Sequence, residues 1–155
     1  MTFRILALDP APFVPLFALS DAELAARDIV RATATSDTGF PCRVSLADAA
    51  TGEELLLLNY EHLPVASPYR SRHAIYVGRH AVRAEPAPGS VPPYIERRLI
   101  SARAFDAAGM MTRADVVEGA AVAETLDAWL NDASTAHVDL HSARPGCFLA
   151  RAVAA

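Results

Sequence analysis

The pattern of hydrophobic positions predicts a chain built mainly of short strands. Apolar residues dominate "FRILAL" at residues 3–8, and they alternate with polar or small residues in "DIVRATAT" at 28–35. "CRVSL" at 42–46 and "HAIYVG" at 73–78 are also typical of strands. The unbroken run Leu55–Leu58 indicates a strand covered on both faces, and therefore a central one.

Two segments carry helix signals. Ser20, followed three residues later by Glu23, forms a capping-box pattern that begins a short helix. A second helix is predicted from apolar residues at positions i, i+4, i+7 and i+8, which are Val122, Leu126, Trp129 and Leu130.

Turn signals separate the remaining strands. Asp106–Gly109 is typical of a hairpin turn, and the proline-rich residues 85–93 are expected to form a connector or a lid. Residues 136–143 and 147–153 form a predicted final hairpin. Because short turns rather than helices join most strands, we expect an α+β fold in one domain, residues 1–155. It would have one mainly antiparallel sheet of about seven or eight strands, with two helices packed against it.

Composition and charge narrow the class of protein. The 155 residues are 52% hydrophobic, which is incompatible with a disordered chain. No apolar run is long enough to cross a membrane, and the start of the chain makes a poor secretory signal. Two cysteines and a net charge of −4 favour a soluble cytoplasmic protein with reduced thiols that binds neither nucleic acid nor membranes.

The stretch "AHVDLHSA" carries the first candidate site. On a strand His137, Asp139 and His141 share one face, while Val138 and Leu140 point into the core. Side chains two residues apart on one face are about 7 Å apart, so these three could bind a divalent metal such as zinc. The alternative is that they form only the solvated face of an amphipathic strand.

The register of the final hairpin decides the surroundings of Cys147. A loop with an even number of residues places Ser142 opposite Cys147 and buries the thiol among Leu140 and Leu149. A loop with an odd number places His141 opposite Cys147 and creates a reactive thiol–imidazole pair. The sequence leaves both registers open.

Other candidate residues lie on the middle strands. His73 shares a face with Ile75 and is a candidate acid–base or catalytic residue together with His141 and Cys147; the alternative is a core histidine. Arg43, on the strand side away from the core, is a candidate clamp for a carboxylate or phosphate, and otherwise a surface salt-bridge residue. Tyr69 and Asn59 are candidate substrate-binding residues at the same end of the sheet, and Cys42 is expected in the core.

The chain resembles a bacterial family, the domain of unknown function 1203. The resemblance runs from Phe3 to Arg151, and its most specific pieces are Pro41-Cys42-Arg43, Tyr69–His73, and His141 with Gly146-Cys147. The family pattern before the Pro-Gly-Cys turn is closer to His-x-His-Asn, whereas this chain has Asp139 at the first position and Ser142 at the last. The resemblance supports the fold and the length, and it implies no activity.

Three functions remain open. The first is a small-molecule site at one end of the sheet, built from Arg43, His73, His141 and Cys147, for hydrolysis or group transfer on a small anionic molecule. We expect Cys42, His73, His141 and Cys147 to lie near one another. The second is a non-catalytic binding module, and the third is a structural homodimer that acts through a surface patch or a sheet edge.

Overall fold

The structure, a computed structural model, describes residues 2–155. In these residues ten strands form two five-stranded sheets, accompanied by three α-helices and two short 3-10 helices. The strands are β1 (Phe3–Leu6), β2 (Val30–Thr33), β3 (Pro41–Cys42), β4 (Ala47–Asp48), β5 (Glu54–Leu63), β6 (Ser71–Gly78), β7 (Leu99–Phe105), β8 (Met111–Glu118), β9 (His137–Ser142) and β10 (Phe148–Ala154). The helices are α1 (Asp21–Ala25), α2 (Pro93–Glu96) and α3 (Val122–Leu130), and the 3-10 helices span Val14–Ala18 and Gly119–Ala121.

The first sheet has the order β1-β10-β9-β7-β8, with antiparallel neighbours throughout. It joins the two ends of the chain, because Phe3 pairs with Ala154. Strand β9 lies at its centre. Val138 and Leu140, on one face of β9, are fully buried in a core that also contains Leu126 and Trp129 of α3.

The second sheet has the order β2-β5-β6-β3-β4. The long β5 and β6 form an antiparallel pair, and the two-residue β3 runs parallel to β6, pairing Cys42 with Tyr76. One face of this sheet presents Leu56 and Ile75 to the N-terminal segment that includes Phe13 and Leu24. Between the two sheets lies the region described below.

Several local predictions are confirmed. Ser20 and Glu23 form the capping box of α1, with hydrogen bonds in both directions. The helix predicted from the apolar spacing is α3, and Asp106–Gly109 forms the turn between β7 and β8. Leu55–Leu58 belongs to β5, which is paired on both sides.

Other predictions are wrong in ways that have physical reasons. The α+β class is confirmed, but the strands form two sheets rather than one of seven or eight strands, and three α-helices replace the expected two. Long-range pairing such as β1 with β10 leaves no trace in local periodicity. The "CRVSL" strand ends at Cys42, and the chain then turns through residues 43–46, where Leu46 has φ 50°. That left-handed conformation cannot continue a strand.

No helix of residues 2–155 is long and apolar enough to cross a membrane.

Candidate metal and ligand sites

A polar layer separates the two sheets. Strand alternation turns Asp139 and His141 of β9 away from the α3 core and toward the second sheet. Both side chains are fully buried there. The expectation of a solvated strand face is therefore wrong, because the second sheet covers this face of β9.

Three imidazoles converge in this layer. His141 comes from the first sheet, and His62 and His73 come from β5 and β6 of the second. One ring nitrogen of each lies within 4.8 Å of one ring nitrogen of the other two, and the ring centroids are 4.8–5.0 Å apart. These three residues are called the histidine cluster below.

Hydrogen bonds fix two of the rings so that one nitrogen remains free. Nδ1 of His62 lies 3.1 Å from Oδ2 of Asp139, and Nδ1 of His141 lies 3.0 Å from the carbonyl oxygen of Gly146. Carboxylates and carbonyls only accept hydrogen bonds, so Nδ1 is the donor in each ring and Nε2 is the nitrogen that these bonds leave unused. Both Nε2 atoms, and Nδ1 of His73, are buried without a hydrogen-bond partner in residues 2–155.

The Asp139 carboxylate holds the layer together. Arg151 donates to both of its oxygens, from Nε at 2.7 Å and from Nη2 at 2.9 Å. Nη2 of Arg151 also donates to the backbone oxygen of His62 at 3.0 Å. Burial alone would raise the pKa of Asp139, but hydrogen bonds from His62 and Arg151 outweigh burial and lower this pKa to about 2. Asp139 is therefore a permanent anion that links β9, β10 and β5.

Burial favours the neutral forms of His73 and His141 at physiological pH. Burial lowers the pKa of His141 to about 3, although the hydrogen bond to Gly146 opposes this shift. Burial also lowers the pKa of His73, as do the positive charges of His62, when protonated, and of Arg103. A buried neutral imidazole with a free lone pair is a potential metal ligand.

One side of the cluster is apolar and the other is more open. The ring of Phe148 stacks on His62, with centroids 4.6 Å apart and planes at 14°. On the other side His73 is only partly buried. Arg103 is also partly buried and donates to Ser101, and it forms no ion pair with a carboxylate in residues 2–155. Arg103 pairs with Asp139 across β7 and β9, so its free positive charge lies close enough to lower the pKa values of His73 and His141.

The predicted metal ligands occupy different environments. His141 belongs to the cluster. The carboxylate of Asp139 forms a salt bridge with Arg151 instead. Nε2 of His137 lies 3.8 Å from Oδ1 of Asp139 and forms no hydrogen bond in residues 2–155. The ring of His137 stacks on Phe105, with centroids 5.2 Å apart. The set of ligand atoms that converges in residues 2–155 is that of His62, His73 and His141.

The final hairpin has the even register. The amide of Ser142 donates to the carbonyl of Cys147 at 3.0 Å, and Phe148 rather than Cys147 lies opposite His141. The thiol is nevertheless half-buried instead of lying in the core. It lines a cavity of about 330 Å³ together with Arg43.

Arg43 is placed differently from its prediction. Residues 43–46 turn inward after β3, and Arg43 is therefore only 2% exposed. The predicted position away from the core and the alternative of a surface salt bridge are both wrong. Cys42 is buried as expected, and its Sγ accepts from the amide of Gly78 at 3.3 Å. The structure thus brings His73 and His141 together in the cluster, and Arg43 and Cys147 together in the cavity.

The two remaining candidates lie toward the surface. The ring of Tyr69 packs edge-on against Phe105, with centroids 6.2 Å apart, and so lies near His137. Asn59 is exposed and accepts a hydrogen bond of 2.6 Å from Nε of Arg72.

Sequence reasoning missed His62, because the segment after Tyr60 reads as a proline-containing loop. Strand β5 instead continues to Leu63, and the alternation Leu58, Tyr60, His62 carries the buried face onward. A register shift between Tyr60 and Leu63 then changes the direction of the strand. Bulges of this kind often re-aim side chains beside sites. His62 follows Leu58 and Tyr60 at intervals of two residues, and this spacing could have indicated that it shares their buried face.

We expect the metal-free protein to lose stability as the pH falls from about 6.5 to about 4.5. Below pH 6.5 the unfolded chain protonates His141, while the folded chain, with a pKa of about 3, does not. The free energy of unfolding should therefore fall by about 1 kcal/mol per pH unit for this residue. Urea unfolding in the presence of a chelator measures the slope.

His141→Gln should give a shallower slope, whereas His80→Gln, at an exposed histidine, should keep the wild-type slope. Asp139 contributes only below its ordinary value of 3.8, outside this window. A wild-type stability that does not change between pH 6.5 and 4.5 would contradict a buried His141 that stays neutral in the folded protein.

Comparison with known proteins identifies the family. A family model described as "Protein of unknown function (DUF1203)" matches residues 39–153, a span that contains the histidine cluster, Asp139, Arg43 and Cys147. No curated protein and no solved structure matches the chain. Since the model covers most of the chain and agrees with the resemblance seen in the sequence, this protein belongs to the DUF1203 family.

Proposed function

We propose that the protein is a metal-dependent enzyme, in which the histidine cluster binds a divalent cation such as zinc and the reaction is hydrolysis or group transfer on a small anionic molecule. The observation that carries the proposal is the convergence of three buried imidazoles, two of them oriented through Nδ1 by an acceptor. Imidazole nitrogen is a common ligand of zinc and of neighbouring transition metals.

The spacing of the ligand atoms is compatible with one ion. Nitrogen atoms bound to a tetrahedral zinc at about 2.0–2.1 Å lie about 3.4 Å from one another. The present separations of up to 4.8 Å need only small rotations of the side chains. Three protein ligands rather than four leave one coordination position open, which is the arrangement of catalytic zinc sites.

The surrounding residues have distinct tasks. Asp139 orients His62 and strengthens it as a ligand, and the Gly146 carbonyl does the same for His141. Phe148 shields one side of the cluster from water. Arg103 attracts the negative charge of a substrate at the open side. A bound divalent ion supplies Lewis acidity and lowers the pKa of its water ligand.

This proposal reassigns two predicted catalytic residues. His73 and His141 act as metal ligands rather than as acid–base groups, and Cys147 has no part in the cluster, because it faces the cavity with Arg43.

We expect the wild-type protein to bind one Zn²⁺ or Co²⁺ per chain. At a free metal concentration of about 100 times Kd, the melting temperature should rise by about 5–10 °C. His73→Gln, at the most exposed ligand, should weaken binding about 100-fold or more, because it removes one of three ligands. Calorimetric titration measures the stoichiometry and the affinity.

His80→Gln is the matched control and should bind as the wild type does, since His80 lies outside the cluster. Equal affinity for the His73 and His80 variants would overturn the assignment of the site, as would the absence of binding by the wild type.

We also expect Arg103→Met to separate anionic from neutral substrates. In the metal-loaded protein it should lower kcat/KM for p-nitrophenyl phosphate by about 10-fold or more, since a charge-assisted contact is lost. It should leave kcat/KM for neutral p-nitrophenyl acetate and the Kd for zinc nearly unchanged. An equal loss on both substrates would refute a role for Arg103 in binding the anion.

A further inference from the structure

A cavity beside the same strands is lined by residues outside the histidine cluster. His73 and His141 belong to the histidine cluster, and Phe148 packs against it. Their sequence neighbours Ala74, Ser142 and Cys147 instead line the cavity of about 330 Å³. Adjacent strand residues point to opposite faces. None of the three cluster histidines lines the cavity, so the two are different sites, although the charge of Arg43 is close enough to lower the pKa of His73.

Arg43 is an uncompensated charge in this cavity. Its Nε donates to the carbonyl of Phe148 at 2.7 Å, and its Nη1 donates to the carbonyl of Pro41. Nη2 has no acceptor in residues 2–155, and no aspartate or glutamate of these residues forms an ion pair with Arg43. A buried guanidinium without a counter-ion is unfavourable unless a ligand neutralises it.

The other charge in the cavity is already neutralised. Arg98 donates to Asp48 at 2.7 Å and also to the backbone of Tyr94. The remaining wall is largely apolar and includes Leu57, Tyr76 and Leu149. The cavity thus offers one unpaired cationic donor at a mostly apolar surface, and its volume suits a ligand of about ten heavy atoms.

We propose that this cavity binds a small organic carboxylate, with the carboxylate accepting hydrogen bonds from Nη2 of Arg43 and the apolar body packing on Leu57, Tyr76 and Leu149. Inorganic phosphate offers the charge but no apolar body, and a neutral amide offers the body but no charge. Phosphate therefore tests the contribution of the apolar contacts, and the neutral amide tests recognition of the carboxylate charge.

Thermal stability and thiol labelling test the site in the full-length protein, with benzoate as the probe and benzamide as its neutral counterpart. At about ten times Kd, benzoate should raise the melting temperature by about 3–6 °C. It should also slow the alkylation of Cys147 by iodoacetamide about tenfold, since only the free fraction reacts. Cys42 is buried and should remain unlabelled in the folded protein.

Two variants assign the effect to Arg43. Arg43→Gln should abolish both responses to benzoate. Because Arg43 also donates to the backbone carbonyls of Phe148 and Pro41, its loss lowers stability by itself, so Ala74→Glu provides a second test. This variant places a carboxylate on the exposed rim of the cavity, where it competes with benzoate. Ala114→Glu makes the same change on the exposed strand β8 and should respond as the wild type does.

Each outcome of these experiments either supports or overturns the carboxylate site. Protection by benzoate that is lost in Ala74→Glu and kept in Ala114→Glu supports the site. The absence of a stability shift and of protection up to about 50 mM benzoate overturns it, because that range covers weak millimolar binding. Equal protection by benzamide overturns recognition of the carboxylate, and equal protection by inorganic phosphate overturns the apolar contribution.

Discussion

The buried carboxylate of Asp139 is the constraint on which the centre of this structure depends. A fully buried anion must be paired, and Asp139 is paired from both sheets, by Arg151 of β10 and by His62 of β5. Removing one partner of such a network costs about 3–5 kcal/mol, because a charge is left without compensation. The network therefore holds the two sheets in one relative position. It also fixes the ring of His62 and leaves that ring's second nitrogen free.

The same geometry produces two chemically different sites. In β6, β9 and β10 neighbouring residues belong to the surroundings of the histidine cluster and of the Arg43 cavity, so one set of strands supports both a nitrogen-rich centre and an unpaired cation. The link between them is Phe148: its ring covers His62, and its carbonyl accepts from Arg43. The proposed binding of a cation requires neutral imidazoles, and burial favours the neutral forms of His73 and His141 by lowering their pKa values.

Local features of this fold could be predicted from the sequence, and long-range features could not. The capping box at Ser20 and the faces of β9 follow from spacings of three and two residues, which are short-range effects of backbone geometry. The division into two sheets depends on pairings between distant residues, such as Phe3 with Ala154, and local periodicity does not encode them. The same limit applies to the site. His141 could be singled out, but His62 lies beside a register shift in β5, and the inward turn of Arg43 after β3 contradicts the strand pattern that predicted an outward side chain.

X-ray absorption spectroscopy of the zinc-loaded protein shows whether His62, His73 and His141 together bind one metal ion. We expect about four nitrogen or oxygen ligands at about 2.0–2.1 Å, with the outer scattering pattern of three imidazoles and no sulfur. Loss of one imidazole in His73→Gln would assign the pattern to this cluster. A sulfur ligand at about 2.3 Å would place the metal on a cysteine instead. That result, or a spectrum of fully hydrated zinc, would contradict metal binding by the histidine cluster.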